Sequence, residues 1–203
     1  MAGAARRIGG ETSATRALIL ETTERLIRDD GYASVSTRKV AAQAGLKPSL
    51  VHYYFPTTDD LYLAVHKRGA ARSDEMIEEA LNSDDPLRGL WRFFADTSRT
   101  AITLEVMALA MHRPALRAAI VEHSEAMRAR QVEVLTRVLG DRLKGAGGCP
   151  PAGLALVLAG IGRALVMEGG LGVAGGHAEA RAFVEQWLGR LLGEDVAPAG
   201  DPA

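Results

Sequence analysis

The chain has 203 residues, 24 Lys and Arg against 25 Asp and Glu, 47% apolar side chains and a single cysteine, Cys149. This composition is typical of a globular protein of one or two domains, and the lone cysteine excludes an internal disulfide and a cysteine-based zinc site. The apolar stretch 152–167 is interrupted by Arg163 and three glycines, and no signal peptide pattern opens the chain, so we predict a soluble, cytoplasmic protein.

The first 81 residues predict four helices, because apolar side chains recur every three or four positions. Their expected ranges are about 15–30, 37–44, 48–55 and 59–81. Gly31 and Gly45 are typical of helix C-terminal ends, and Ser36 is a favourable N-cap. Pro48 opens the third helix and Pro56 ends it, and Thr57 or Thr58 caps the fourth.

The remainder predicts longer helices separated by two glycine-containing loops. The expected helices are about 86–101, 103–112, 114–139, 152–168 and 178–192, with loops at 145–151 and 169–176. No stretch shows the two-residue alternation of half-buried strands, so the fold class is all-α. The segments 1–13 and 194–203 lack apolar periodicity and are predicted to be disordered tails.

The second and third helices, joined by Gly45-Leu46-Lys47, form a predicted helix-turn-helix. In that motif the second helix enters the DNA major groove by its N-terminal part. A small core would consist of Val40, Ala41, Ala44, Leu46 and Val51. The outward set is rich in cations, hydrogen-bond donors and aromatic hydroxyls, which suit phosphates and base edges: Arg38, Lys39, Lys47, Ser49, His52, Tyr53 and Tyr54.

Charge is divided unevenly along the chain, in a way that is compatible with this interpretation. Residues 1–70 have ten basic and seven acidic side chains, whereas residues 71–203 have fourteen and eighteen. A basic N-terminal part favours nucleic-acid binding, although a chance excess of three charges explains the same count. Periodicity alone also permits an ordinary pair of helices with a polar face.

The segment from Thr15 to Val65 resembles the DNA-binding module of the tetracycline-repressor (TetR) family. The resemblance is carried by Gly31-Tyr32, by Ser36-Thr37-Arg38-Lys39-Val40-Ala41-Ala42-Gln43-Ala44-Gly45-Leu46, and by His52-Tyr53-Tyr54-Phe55-Pro56 before Asp59-Asp60-Leu61. It implies a homodimeric, all-helical transcription regulator, usually a repressor that a small ligand releases from palindromic DNA.

The resemblance also implies DNA-binding positions. Ser36, Thr37 and Arg38 begin the supporting helix; Lys47, Pro48, Ser49, His52 and Tyr53 correspond to groove-facing positions; Tyr54 and Thr58 correspond to positions facing the DNA backbone. The chain departs from the family twice, because the family usually has an acid where Lys39 stands and a phosphate-contacting lysine where Thr58 stands.

Some of these side chains have structural alternatives. For Tyr53 and Tyr54 the alternative to DNA contact is that one of them packs beneath its helix, and Phe55 is expected in the core. His52 is predicted as a groove contact rather than a buried histidine.

No metal site, cofactor or enzyme activity is predicted. The five histidines never stand four residues apart, and the glycine-rich stretch 169–176 lacks the Lys-Ser/Thr of a phosphate loop. No Gly-x-Ser-x-Gly motif is present. An enzyme on a helical bundle therefore has little support.

The C-terminal helices predict a mainly apolar site for a small organic effector. Met and Trp line adaptable pockets but also fill ordinary cores. The candidate residues on converging inner faces are Trp91, Phe94, Leu104, Met107, Met111, His123, Met127, Arg163 and Met167. His123 or Arg163 would orient the polar end of the ligand; internal pairing of Arg163 with Glu168 or Glu105 is the alternative.

The last two predicted helices have more apolar surface than a monomer can cover. Two such helices from each of two chains would form a four-helix bundle around a two-fold axis. The predicted interface consists of Leu154, Leu158, Ile161, Phe183, Val184, Trp187, Leu188 and Leu191.

The sequence thus predicts two domains: a three-helix DNA-binding domain over 14–62, and a helical ligand-binding and dimerisation domain over 63–193. A helical ligand-binding or scaffold protein without DNA binding is the alternative. Only a DNA-binding regulator explains the cationic and aromatic surface between Arg38 and Tyr54.

Overall fold

The computed structural model describes residues 13–96, 100–145 and 149–194, and within these ranges all regular structure is helical. The α-helices are α1 (Ala14–Asp30), α2 (Thr37–Ala44), α3 (Pro48–Tyr54), α4 (Thr58–Leu81), α5 (Pro86–Ala95), α6 (Thr100–Ala110), α7 (Pro114–Leu139), α8 (Arg142–Gly145), α9 (Pro151–Gly170) and α10 (His177–Leu192). The predicted all-α fold is confirmed. The predicted disorder of 1–12 and 195–203 lies outside the described residues.

Local signals fix most helix ends. The side chains of Ser13, Ser36 and Asp85 accept hydrogen bonds from the backbone N–H three residues later, at the starts of α1, α2 and α5. Gly31 and Gly45 end α1 and α2 with φ of 77° and 67°, values that side chains with a Cβ rarely adopt.

Three boundaries differ from the sequence-based expectation. The helix predicted to reach residue 101 ends at Ala95, followed by Asp96 in extended conformation, and α6 begins at Thr100 instead of 103. The short α8 was not expected. Helix α9 continues to Gly170, two residues into the predicted loop, because glycine permits a helix even though it does not favour one.

The chain forms two compact units that differ from the predicted 14–62 and 63–193 division. Unit 1 contains residues 1–71 and 102–122, and unit 2 contains residues 72–101 and 123–203. The core of unit 1 surrounds the apolar face of α1, where Ile19, Leu26 and Ile27 are almost fully buried. Part of α6 and the start of α7 thus belong to the same compact unit as the helix-turn-helix.

The core of unit 2 depends on close packing of α5 against α9. Leu87, Leu90 and Trp91 on α5 are buried, as are Leu154 and Leu158 on α9. Gly162 brings the two backbones together: a Cβ there would lie 2.4 Å from the carbonyl oxygen of Phe94. The α5–α9 contact therefore requires a residue without a side chain.

A charge cluster around Arg88 joins α5 to the C-terminal part of unit 2. Its guanidinium donates to Asp85 at 2.9 Å, to Glu185 at 3.3 Å, and to both carboxylate oxygens of Glu194 at 2.9 and 2.6 Å. Hydrogen bonds from Glu194 and then Asp85 raise the pKa of Arg88. The cluster therefore holds the end of α10 beside the start of α5.

Helix α9 is long and apolar enough to cross a membrane by length and composition. The core helix of a soluble protein meets the same criteria, and a single helix of this kind is weak evidence for a membrane span. The buried side chains of α9 pack within unit 2. The buried residues make up 39% of the most apolar 18-residue window of α9.

We predict that Gly162→Ala destabilises the protein, because the added methyl group must push α9 away from the α5 backbone. Overpacking of this kind costs about 1–3 kcal/mol in the free energy of unfolding. Urea titration followed by circular dichroism measures the change.

Gly69→Ala is the matched control. Gly69 is also inside a helix, α4, but nothing lies within 4 Å of a Cβ at that position. Alanine should stabilise it by about 0.5–1 kcal/mol through helix propensity. A Gly162→Ala protein as stable as the wild type would contradict the close contact.

Candidate nucleic-acid interface

The helix-turn-helix rests on a small buried core that matches the sequence-based prediction. Val40, Ala41 and Val51 are completely buried, and Leu46 is partly buried against the same cluster. Ala44, also predicted there, is half-buried. This core leaves the other faces of α2 and α3 to solvent.

The turn between α2 and α3 is fixed by backbone hydrogen bonds. Gly45, in the left-handed conformation, and Leu46 donate their N–H groups to the last turn of α2, the latter to the carbonyl of Ala41 at 2.9 Å. Lys47 then occupies the N-cap position of α3, and Pro48 its first turn, where no amide hydrogen is needed. The N-terminal end of α3 is therefore defined.

The structure brings the predicted DNA-binding residues together on the surface of α2 and α3, apart from Thr58 at the start of α4. The exposed ones are Ser36, Arg38, Lys47, Pro48, Ser49, His52 and Tyr53, and the half-buried ones are Thr37, Lys39, Tyr54 and Thr58. Hydroxyl, imidazole and cationic groups can all contact base edges or phosphates. The arrangement thus has the chemistry that a DNA-binding surface requires.

The two tyrosines at the end of α3 differ in their surroundings, and Tyr54 follows the structural alternative. Tyr53 is 48% exposed, whereas Tyr54 packs partly against the core and its hydroxyl lies 2.8 Å from Oγ of Ser13. Their rings meet edge to face with centroids 5.4 Å apart. The Tyr54–Ser13 contact ties the end of α3 to the start of α1, and Tyr53 remains available to a partner.

Phe55, just after α3, is 2% exposed, which confirms its predicted place in the core. The guanidinium of Arg16 lies over its ring, 5.3 Å from the centroid. This cation–π contact is a second link between α1 and the end of α3. Sequence reasoning did not identify Ser13 or Arg16, since no periodic signal relates them to residues 54 and 55.

The two basic residues at the start of α2 have different surroundings. Nζ of Lys39 lies 2.9 Å from Oδ2 of Asp30 at the end of α1. Within the part of the chain that the structure describes, Arg38 has no acidic partner. The charge of Lys39, the first departure from the family pattern, is therefore paired with an acid of the same chain. The charge of Arg38 is not paired with an acid among the described residues.

The second departure, Thr58, lies at the start of α4. Thr57 rather than Thr58 caps this helix: its Oγ1 accepts from the Asp60 N–H at 3.1 Å, and Oδ2 of Asp60 accepts from the Thr57 N–H at 2.9 Å. Arg113 pairs with the neighbouring Asp59 at 2.6 Å. The first turn of α4 thus contains two carboxylates, of which Asp59 pairs with Arg113 and Asp60 is hydrogen-bonded to Thr57.

The predicted effector residues are divided between the two units. Leu104, Met107 and Met111 belong to unit 1; the other six, Trp91, Phe94, His123, Met127, Arg163 and Met167, belong to unit 2. Met107, Met111 and Met167 are 42%, 69% and 50% exposed, so the prediction that they lie on inner faces is wrong. All three lie at or near helix ends, where amphipathic periodicity is a poor guide to burial.

The remaining effector candidates are placed differently. Trp91 is buried, while Leu104, Phe94, Met127 and His123 are half-buried and Arg163 is exposed. Nδ1 of His123 lies 3.8 Å from Asp74. Of the two suggested partners of Arg163, Glu168 contacts His177 and Glu105 accepts from the Tyr32 N–H.

Five predicted interface residues belong instead to the core of the single chain: Leu154, Leu158, Val184, Leu188 and Leu191 are at most 5% exposed. They fill the space between α9, α10 and the rest of unit 2, so they are not on a surface that another chain could cover. Ile161 and Trp187 are half-buried and Phe183 is 59% exposed. The exposed apolar face also includes Leu156 and Val157.

Residues 19–65 match the family model of the bacterial regulatory proteins of the tetR family. The match contains most of α1, all of α2 and α3, and the first part of α4. No curated protein matches the chain significantly in sequence.

Several solved structures share the fold at low sequence identity. A TetR-family transcriptional regulator from Rhodococcus sp. has a TM-score of 0.72 at 18% identity, covering 89% of this chain and 100% of that one. A TetR transcription regulator from Haloarcula marismortui has 0.69 at 20%, covering 85% and 95%. A transcriptional regulator from Saccharomonospora viridis, in complex with choline, has 0.69 at 21%, covering 84% and 95%.

The sequence match is confined to the helix-turn-helix segment, and the structural matches extend the same fold over most of the chain. The motif residues, the buried core beneath them and the exposed polar face all lie in the matched segment. Residues 19–65 therefore form a DNA-binding helix-turn-helix module of the tetR family of bacterial regulatory proteins, and the chain as a whole shares the fold of the solved TetR-family structures.

Proposed function

We propose that the protein is a dimeric, cytoplasmic repressor that binds a palindromic duplex and is released by a small, mainly apolar organic molecule. The observation that carries the DNA-binding part is the exposed face of α2 and α3, where Arg38, Lys47, Ser49, His52 and Tyr53 are all accessible. A ligand-binding protein without DNA binding would have no use for this surface. The function is binding rather than catalysis.

The roles within this surface follow from position. Ser49, His52 and Tyr53 are exposed on α3, the helix that enters the major groove in a helix-turn-helix, so we assign them to base edges. Arg38 and Lys47 are assigned to phosphates, because neither has an acidic partner among the described residues.

Selection from random duplexes by the purified protein should return a palindromic site. On that site His52→Ala or Tyr53→Ala should lower the preference for the cognate base by about 1–3 kcal/mol per lost contact. Fluorescence anisotropy with matched and mismatched duplexes measures this. Full affinity and selectivity in both variants would show that α3 is not the helix that contacts the bases.

Arg38→Ala and Lys39→Ala form a matched pair of charge removals in adjacent positions. Arg38→Ala should weaken binding to all sequences alike and reduce the salt dependence by about one released counterion. Lys39→Ala should have a smaller effect, because Asp30 already balances that charge. Equal losses in the two variants would contradict the role of the Asp30 contact.

Dimerisation is proposed through the exposed faces of α9 and α10. Leu156 and Phe183 are 56% and 59% exposed, and the Phe183 and Trp187 rings are stacked with centroids 6.4 Å apart. Large exposed apolar side chains on neighbouring helices are typical of interaction surfaces. A two-fold dimer would also supply two recognition helices to a palindrome.

Phe183→Asp should convert the dimer to a monomer, because a buried unpaired carboxylate costs several kcal/mol. Light scattering at micromolar concentration measures the mass. Val121→Asp, which adds the same charge at a 54% exposed position on α7, should leave the dimer intact. A monomeric wild type, or a dimeric Phe183→Asp variant, would contradict this interface.

Effector binding is proposed in unit 2, beside Trp91. This residue borders an open cleft of about 270 Å³ that is also lined by Arg92, Ala95, Asp96, Arg181 and Glu185. Trp91 is only 3% exposed, and two arginines and two acids line the cleft, so it is more polar than the mainly apolar site expected from the sequence and suits a small organic molecule with polar groups. The Saccharomonospora viridis structure, which contains choline, supports effector binding in this fold.

A panel of small organic amines, acids and neutral aromatic compounds, choline included, should contain a compound that weakens operator binding by about 5–150-fold. Arg181→Ala should reduce that response. Arg190→Ala, on the same helix but outside the cleft lining, should not. Anisotropy titrations of the operator complex measure both. Equal responses in the two variants would exclude this cleft.

A further inference from the structure

The backbone of Tyr32 is held from both sides by side chains of distant helices. Its N–H donates to Oε2 of Glu105 on α6 at 3.1 Å, and its carbonyl accepts from the hydroxyl of Tyr62 on α4 at 2.9 Å. All three residues belong to unit 1. This arrangement, which we call the Tyr32 clamp, connects α4 and α6 to the segment between α1 and α2.

The clamped segment determines where α2 begins. Tyr32 starts a short 3₁₀ turn, Tyr32–Ser34, and Val35 donates back to the Tyr32 carbonyl at 3.1 Å. Ser36, the N-cap of α2, follows immediately. Displacement of Tyr32 would therefore move the start of α2 and, through the fixed turn at Gly45, the DNA-facing helix α3.

The residue before the clamp has to be glycine. Gly31 has φ of 77°, and a Cβ there would lie 3.6 Å from Oε2 of Glu105. That distance is an ordinary van der Waals contact, so it is the backbone conformation that requires glycine here; the carboxylate of Glu105 accepts a hydrogen bond from the next N–H, that of Tyr32. A charged acceptor makes this hydrogen bond stronger than a neutral one.

Both sides of the clamp are partly shielded from water. Glu105 is half-buried and Tyr62 is 4% exposed. Burial raises the pKa of the Tyr62 phenol, so its O–H remains a donor throughout the neutral range. Just beyond the other end of α6, Arg113 pairs with Asp59 in the first turn of α4, which holds α6 to the same unit at a second point.

We propose that Glu105 is a positioning residue for DNA recognition: its contact with Tyr32 sets the orientation of the helix-turn-helix relative to α6. The inference rests on the proposed function as a dimeric DNA-binding protein. In a dimer, a recognition helix α3 that is held in place within unit 1 would accept a narrow range of half-site spacings, whereas an α3 that is free to shift within unit 1 would accept a wider range. Glu105 itself contacts no base.

The test compares half-site spacing preferences, using duplexes that contain the selected half-sites separated by variable spacers. Glu105→Ala should accept a wider range of spacings than the wild type and bind the preferred spacing about tenfold more weakly, as expected for loss of a charge-assisted hydrogen bond. Base preference within each half-site should be unchanged. Glu105→Gln, whose amide oxygen can still accept from Tyr32, should restore the narrow spacing preference.

Two further variants separate positioning from loss of stability. Tyr62→Phe removes the other side of the clamp and should broaden the spacing preference in the same direction. Glu122→Ala removes an exposed carboxylate in the same unit and should change nothing. If Glu105→Ala does not fold, Glu105→Gln and Tyr62→Phe provide the comparison.

The outcomes distinguish this inference from the proposed function. A wild type that selects no duplex would overturn both. The positioning role alone would be overturned if the wild type has a narrow spacing preference and the Tyr62→Phe and Glu105 variants keep it. Uniformly weaker binding with an unchanged spacing profile would likewise show that Glu105 only stabilises the fold.

Discussion

Packing of α2 and α3 onto α1 is the constraint on which the exposed polar face of these two helices depends. Helices α2 and α3 have eight and seven residues, and isolated helices shorter than about 12–15 residues are marginal in water. They persist because Val40, Val51 and Phe55 are buried in a cluster that includes the apolar face of α1. The outward side chains can therefore be mostly polar, although Leu50 is also exposed and the side chain of Ser36 caps α2.

Several basic residues of unit 1 are paired with acids of the same unit. Lys39 pairs with Asp30, Arg68 with Glu21, and Arg113 with Asp59, all within 3.0 Å. Exposed pairs of this kind contribute little to stability, so their main effect is on the local electrostatic potential. Positive charge then remains at Arg38 and Lys47, which have no acidic partner among the described residues. The overall excess of basic residues in the first 70 positions is a less specific indicator than this pairing.

The parts of the structure that could be predicted from the sequence are those with local causes. Caps at Ser36 and Gly45, the proline at the start of α3 and the burial of Phe55 each depend on neighbouring residues or on helical period. Contacts such as Tyr32 with Glu105 join positions 73 residues apart and leave no periodic signal. The interface prediction was wrong for Leu154, Leu158 and three residues of α10 because an apolar helix has two sides, and composition does not indicate which side the chain itself covers.

The composition of α9 has a consequence for the order in which the protein folds. Five of its twenty residues are glycine, and each costs roughly 1 kcal/mol of helix stability relative to alanine. As a nascent segment α9 would therefore have little helical structure of its own. Helix α5, against which Gly162 packs, is synthesised more than 50 residues earlier and is already available when α9 emerges from the ribosome. The C-terminal half of unit 2 should consequently acquire its structure by docking onto α5, and a ribosome-bound chain that ends before α9 should leave Trp91 accessible to solvent quenchers.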